Sequence, residues 1–360
     1  MSSAGPRRAV RAIASVLLVV LFLGGCTAIG ANGADPERTI ALLLPESKTA
    51  RYEAYDRPLF EAKVAELCPE CEVIYANADQ DPVKQQQQAE SAFAQGISVL
   101  VLVLDPVDSS AAVTIVSSAL SRKIPVISYD RLIGSPELAF WVSFNNEKVG
   151  ALQGKALIER LAADGHSSGN IAMINGSPTD NNARLFKKGA HSVIDGSAFT
   201  VVSEFDTPDW SPDKAQEWMA SQVTQFGDSL IGVYAANDAT AGGAIAALKA
   251  GGVLPLPPVT GQDAELTAIQ RIVSGDQYMT IYKDFKREAE IAATHAVALL
   301  DGKTLVGQSE ETNGIPTTLL SPVIVTIDNI METVVANGLY SVEQICTSEY
   351  AHACAAAGIQ

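Results

Sequence analysis

Asp130 and Arg131 stand side by side where the apolar run "IPVISY" (124–129) stops. The same change of character recurs along the chain. "NGSPTDNNAR" follows the run at 170–175 and carries Asp180, Asn181, Asn182 and Arg184. Asn237 and Asp238 follow 230–236, Asp263 of "QDA" follows the next run, and Lys283 ends 278–282. "PESKTARY" after the first run brings Arg51 and Tyr52, and "DTPDW" after 199–205 brings Trp210.

Ionised carboxylates only accept hydrogen bonds, guanidinium groups donate them in a planar fork, and both match vicinal hydroxyls. Aromatic faces cover apolar C–H surfaces. Together these side chains have the chemistry to hold a sugar. Taken singly, each has a plainer role. Asp180, Asp238 and Asp263 precede helices and could be N-caps; Asp130 and Arg131 could be a local ion pair, Trp210 core, and Lys283 a solvated helix start. Recurrence at one apolar-run end after another favours a shared site. A sugar-cleaving enzyme would need two carboxylates across the scissile bond, one with a raised pKa. Asp130 and Asp263 could be cast so, but Arg131 and Lys283 beside them would keep both ionised. G-x-S-x-G, Walker A and H-E-x-x-H motifs are absent from the sequence. The reading is therefore binding, not catalysis, with no cofactor and no metal.

Side chains of this kind need elements that aim them at one place. From residue 39 onward, short continuous apolar runs alternate with longer stretches of helical period. Strands are expected at 39–44, 72–76, 98–104, 124–129, 170–175, 199–205, 230–236, 258–262 and 278–282. Helices are expected at 51–67, 81–95, 108–122, 147–163, 180–194, 211–226, 239–250, 264–275 and 284–301. Apolar strands alternating with helices imply parallel sheets covered on both faces, an α/β fold. The units are too many for one open sheet, so two doubly wound lobes are expected, with the first break near "WVSFNNE" (141–147). "NGIPTTLLSPVIVTIDNI" (313–330) is strand-like with Pro punctuation and reads as a return crossing between lobes. In open α/β sheets, ligands sit outside the carboxyl ends of the strands, which is where the polar residues fall.

The chain has 360 residues, 47% hydrophobic and 18% charged, with net charge −16. Such an acidic chain is a poor nucleic-acid binder. Arg7, Arg8 and Arg11 precede the apolar run "AIASVLLVVLFLGG", which suits a signal peptide and is short for a membrane span. It ends in "LGGC", which resembles the lipobox of bacterial lipoproteins. By that resemblance residues 1–26 are a lipoprotein signal, Cys26 is the acylated N-terminus, and 27–37 is a flexible tether. The other four cysteines allow three pairings, and the two local ones, Cys68–Cys71 and Cys346–Cys354, are expected. Zinc would want two CxxC pairs or matched His spacing.

"VISYDRLI", "VSFNNEKVG", "NGSPTDNNARLFKKG", "ANDATAGGAIAAL" and "TGQDAELTAIQRI" together closely resemble the xylose-binding proteins of bacterial ABC sugar importers, within the type I periplasmic sugar-binding family. The likeness runs from about 39 to about 330. It implies two Rossmann-like lobes joined by a three-segment hinge and closing on one monosaccharide, xylose first. It implies 38–144 plus 284–315 as the N-terminal lobe, 145–283 plus 316–345 as the C-terminal lobe, and 346–360 as a clipped tail. The implied sugar contacts are Arg51, Tyr52, Asp130, Arg131, Asp180, Asn182, Trp210, Asn237, Asp263 and Lys283. The family's first-helix aromatic is often Trp, and here it is Tyr52. The implied partners are an ABC permease and the outer face of the cell membrane, reached through lipid on Cys26, with the protein acting as a monomer.

Overall fold

The computed structural model describes residues 38–94 and 99–359. The expectations for the signal 1–26, for Cys26 and for the tether 27–37 lie outside the described residues. The first lobe opens with β1 (Thr39–Leu44), α1 (Arg57–Leu67), β2 (Glu72–Asn77) and α2 (Pro82–Ala94). β3 (Val99–Leu104), α3 (Val113–Ser121), β4 (Val126–Tyr129) and β5 (Phe140–Phe144) follow. A π-helical turn at Tyr52–Asp56 leads into α1. The pairing is parallel throughout, in the order β10 (Thr317–Leu320), β5, β4, β3, β1, β2. The inner strands are almost wholly apolar because both faces are covered. Ala41 and Leu43 of β1 meet Ala89 and Ala92 of α2 and Ile115 and Val116 of α3. Ile40, Leu42 and Leu44 point the other way, onto Phe60 and Val64 of α1 and onto Ala289, Ala292 and Ala296.

The second lobe runs α4 (Asn146–Ala163), β6 (Gly169–Asn175), α5 (Asn181–Ile194), β7 (Phe199–Asp206) and α6 (Pro212–Phe226). It continues with β8 (Leu230–Ala235), α7 (Asp238–Ala250), α8 (Leu266–Ser274) and β9 (Thr280–Tyr282). Its sheet has the order β7-β6-β8. The run read as a strand at 258–262 keeps only the parallel bridge Val233–Val259. Pro255, Pro257 and Pro258 precede that bridge and have no N–H to give a ladder. Val259 and Gly261 carbonyls still accept from Tyr278 and Ile281, so the segment ties β8 to β9.

The chain crosses between lobes three times. It leaves β5 through Asn145, whose side chain caps α4. It returns after Lys283 into α9 (Phe285–Leu300), capped by Asp284. It leaves again between β10 (Thr317–Leu320), paired with β5, and β11 (Val323–Val325), antiparallel to β9. The stretch 313–330 thus holds the return crossing, at Ser321–Pro322. The boundary expected between 315 and 316 falls ahead of β10, a strand bonded to the first sheet. β5, buried at every position, is a strand beyond those expected from the sequence, and the chain leaves it at Asn145, within the 141–147 stretch where the first break was expected. Cys68–Cys71 and Cys346–Cys354 are both joined as disulfides. In the tail, α10 (Val342–Ile345) and α11 (Ala351–Ala356) bring Ile345, Cys354 and Ile359 onto Ile269, Ile272 and Val273 of α8. That packing gives the second clip its place.

Candidate functional site

The ten residues that the resemblance implied as sugar contacts line one cavity between the carboxyl ends of the two sheets, while Asn181, Arg184 and Asp238 do not line it. Arg51, Tyr52, Asp130 and Arg131 come from the first lobe. Asp180, Asn182, Trp210, Asn237, Asp263 and Lys283 come from the second. The space left inside it is about 20 Å³, roughly what one water needs. Among the described residues, no group of three or more His, Cys, Asp or Glu could hold a metal ion.

The plainer roles turn out to be compatible with the site. Asp180 does cap α5, accepting from Asn182 N–H at 2.7 Å. Its Oδ2 also receives Trp210 Nε1 at 3.0 Å and lies 3.0 Å from Arg131 Nε. Asn237 caps α7 through its Oδ1 and still faces the cavity. Asp263 caps nothing. Its Oδ1 lies 2.9 Å from Lys283 Nζ, an ion pair off the line of a good hydrogen bond. Asp130 and Arg131 do not pair with each other. Asp130 accepts from Arg51 at 2.9 Å and from Asn182 at 2.9 Å, while Arg131 turns to Asp180, Glu46 and Asp105.

Backbone strain aims several of these side chains. Asp130 has φ 51°, Trp210 φ 52° and Asp263 φ 97°. Left-handed backbone costs roughly 1–3 kcal/mol at a non-glycine residue and concentrates at functional sites. Trp210 also needs space behind it. A Cβ on Gly176 would come within 2.0 Å of the indole, so Gly176 is the residue that admits the ring.

Electrostatics decide what the cavity can do. Burial alone would push the Asp130 carboxyl up, yet Arg51, Lys283 and Arg131 together hold it below the ordinary range. It is a pure acceptor. Burial raises Asp180, against the pull of Arg131. Burial would lower both arginines, but the carboxylates around them win and hold them firmly charged. This arrangement suits hydrogen bonding to a neutral polar ligand.

The two lobes touch around the cavity. Besides Asn182 to Asp130 and Arg131 to Asp180, Ser109 N–H donates to Thr179 O at 3.2 Å and Thr179 Oγ1 to Val107 O at 3.2 Å. The cleft is shut. Sequence reasoning missed Thr49, Phe186 and Gln262 in the lining. It also missed the buried Glu46, Asp56, Asp105 and Glu288 behind it. Asp105 directly follows β3, so the strand-end rule could have found it. Asp56 and Glu288 sit on helical turns and carry no local signal.

A family model for the periplasmic binding protein domain matches residues 40–304. The chain is 36% identical over 340 residues to the D-xylose-binding periplasmic protein of Haemophilus influenzae, covering 92% of this chain and 99% of that one. It is 34% identical to the D-xylose-binding periplasmic protein of Escherichia coli, covering 86% and 93%. Among solved structures, an ABC transporter solute-binding protein of Clostridium phytofermentans with bound β-D-glucose superposes with a TM-score of 0.77 at 28% identity. That match covers 85% of this chain and 99% of the other.

Proposed function

The chain belongs to the periplasmic binding protein domain family, and from that premise we propose that it captures a monosaccharide, D-xylose first, and delivers it to an ABC importer. The observation that carries this reading is the single shut cavity lined from both lobes by Arg51, Arg131, Asp130, Asp263, Lys283 and Trp210. Five polar side chains and an aromatic face from two bodies suit a ring bearing hydroxyls all round. In this reading the ten residues are the sugar contacts, and the lobes are 38–144 with 284–320 and 145–283 with 323–345. The protein binds without catalysis, as a monomer held to the outer face of the membrane by lipid on Cys26.

Xylopyranose carries only equatorial hydroxyls, so both ring faces are apolar and suited to Trp210 and Tyr52. Glucose adds a hydroxymethyl group at C5, which a shut pocket shaped to a pentose excludes by steric clash. Excluding one such group is worth about 10- to 200-fold. Calorimetry of the soluble domain with xylose, arabinose, ribose, glucose and galactose should therefore rank xylose first. Tighter binding of glucose or galactose would remove the pentose claim and leave the sugar claim standing. Heat in none of the titrations would remove both.

Gly176→Ala is expected to weaken that binding by about 10-fold or more, because the indole that stacks on the ring must move. Trp210 is not the sole fluorescent reporter. Trp141 Nε1 donates to the carbonyl of Asp130 at 3.1 Å and so senses the cavity from behind. Affinity of Gly176→Ala equal to the wild type would show that the ring does not stack.

A further inference from the structure

Arg51 has five N–H groups, and four are engaged inside the first lobe. Nε donates to Asp56 Oδ2 at 2.8 Å and Nη2 to Asp56 Oδ1 at 2.6 Å. Nη2 also donates to Glu288 Oε2 at 2.6 Å, and Nη1 to Asp130 Oδ2 at 2.9 Å. One Nη1–H remains, on a side chain that lines the cavity. The Phe285 ring lies 4.2 Å beneath the guanidinium, and Asp56 is itself held by the Tyr129 hydroxyl. Asp56 and Glu288 are 1% and 0% exposed and do not line the cavity. Such buried carboxyls are costly to hold.

All of these partners sit on the first lobe: the turn before α1, the end of β4, and α9. The contacts Asn182–Asp130 and Arg131–Asp180 cross the cleft and must part when it opens. Those around Arg51 need not.

We infer that Asp56 and Glu288 are positioning residues that set Arg51 in its ligand-binding orientation before the ligand arrives, leaving one N–H for a ligand hydroxyl. Holding a donor in place beforehand removes the ordering cost that binding would otherwise bear. Glu288 stands five positions after Lys283, on the far side of a lobe crossing. The cradle therefore sits at the first turn and a half of α9, where the chain re-enters the first lobe. Glu288 Oε2 faces the Arg51 guanidinium as an ion-pair acceptor; burial and the neighbouring Asp130 and Asp56 push its carboxyl well up, against Arg51 and Lys283.

The inference rests on the sugar reading for its affinity arm only. Xylose is titrated into the wild type, Glu288→Leu and Glu288→Gln, each also in an Arg51→Lys background. The Nε–H and Nη–H proton resonances of Arg51 are followed in the sugar-free proteins that keep it. Glu288→Leu should weaken xylose binding about 5- to 30-fold and speed exchange of the Arg51 Nη2–H that Glu288 accepts. Glu288→Gln, which keeps an acceptor oxygen, should restore most of both. The loss should shrink once Arg51 is lysine, because side chains acting through one another are not additive. A side chain that only packs would give the same loss in both backgrounds, and that result overturns the inference. So does an unchanged Arg51 resonance in Glu288→Leu. Should Glu288→Leu not fold, Asp56→Asn takes its place with the same expected resonance change, and a resonance like the wild type's is again fatal. If the wild type binds no sugar, the sugar reading falls, and the Arg51 resonance still decides the cradle.

Discussion

Arg131→Ala is expected to cost both binding and stability, the latter by about 3–5 kcal/mol, the usual penalty for breaking a buried ion pair by removing one partner. The sequence suggests a strand-end residue in an open cleft, whose loss the fold tolerates. The structure places it otherwise. Arg131 is 3% exposed, with Nε 3.0 Å from Asp180 and 3.7 Å from Asp105, and Nη2 3.5 Å from Glu46. Its Nη1 also donates to Pro106 O at 3.3 Å. Removing it leaves three buried carboxyls with no arginine between them. Asp105 is already pushed well up by burial, and Arg131 is the main group opposing that. Loss of a charge-assisted bond worth roughly 1.5–3 kcal/mol should weaken sugar binding by about 10- to 150-fold on its own. The lost order around Asp180 and Trp210 adds to that. Urea unfolding beside calorimetry separates the two effects. An Arg131→Ala protein with the wild-type urea midpoint would show that Glu46, Asp105 and Asp180 do not depend on it.

Stability should fall as pH rises from about 5 to about 9. Glu265 is pushed up to about 8 by burial and by the Asp238 charge, and Asp238 up to about 7 by burial, with Arg271 opposing both. The geometry says which one holds the proton. Asp238 accepts from Gln277 at 2.8 Å, Thr280 at 2.8 Å and the Glu265 N–H at 3.0 Å. Those donors favour its ionised form and leave the proton to Glu265, whose Oε1 has no partner. Unfolded, a glutamate ionises near its ordinary value of about 4.3. A folded pKa above the unfolded one means that the folded chain holds an extra proton between the two. The stability this gives is complete below the unfolded pKa and is lost as pH climbs through about 8. One proton over that window amounts to roughly 2–4 kcal/mol, since each pH unit is worth at most about 1.4 kcal/mol. His191 is also raised, burial being outweighed by Asp195 and Glu204, and it contributes in the same direction. Glu265→Gln isolates the first effect and should flatten most of the profile. Wild-type stability that holds level or rises between pH 6 and pH 9 would refute it.

The sequence by itself determined the alternation of strands and helices, the parallel sheets, and the edge where polar side chains gather. Each is written locally: "TIALLL" is apolar after its first residue and "VLVLVL" throughout, because both faces of their sheet are covered, and Asp130, Asn237 and Lys283 follow such runs directly. The two short-range disulfides were legible for the same reason. Asp180 shows the limit of local reading, because cap and site residue are one side chain, and no count of spacing separates roles that coexist.

Only the tertiary structure decided which charges meet. Asp130 and Arg131 are neighbours in sequence, yet they bond to different partners, because φ 51° at Asp130 turns its carboxylate away toward Arg51 and Asn182. Arg51 is held by Glu288, 237 positions away, and Trp210 fits only because Gly176 has no side chain. These pairings depend on distances across a cleft and between helices far apart in sequence. A chain's local pattern sets what each element is and which face it buries; the energy of a buried charge depends on what lies within a few ångströms, and folding alone brings those groups together.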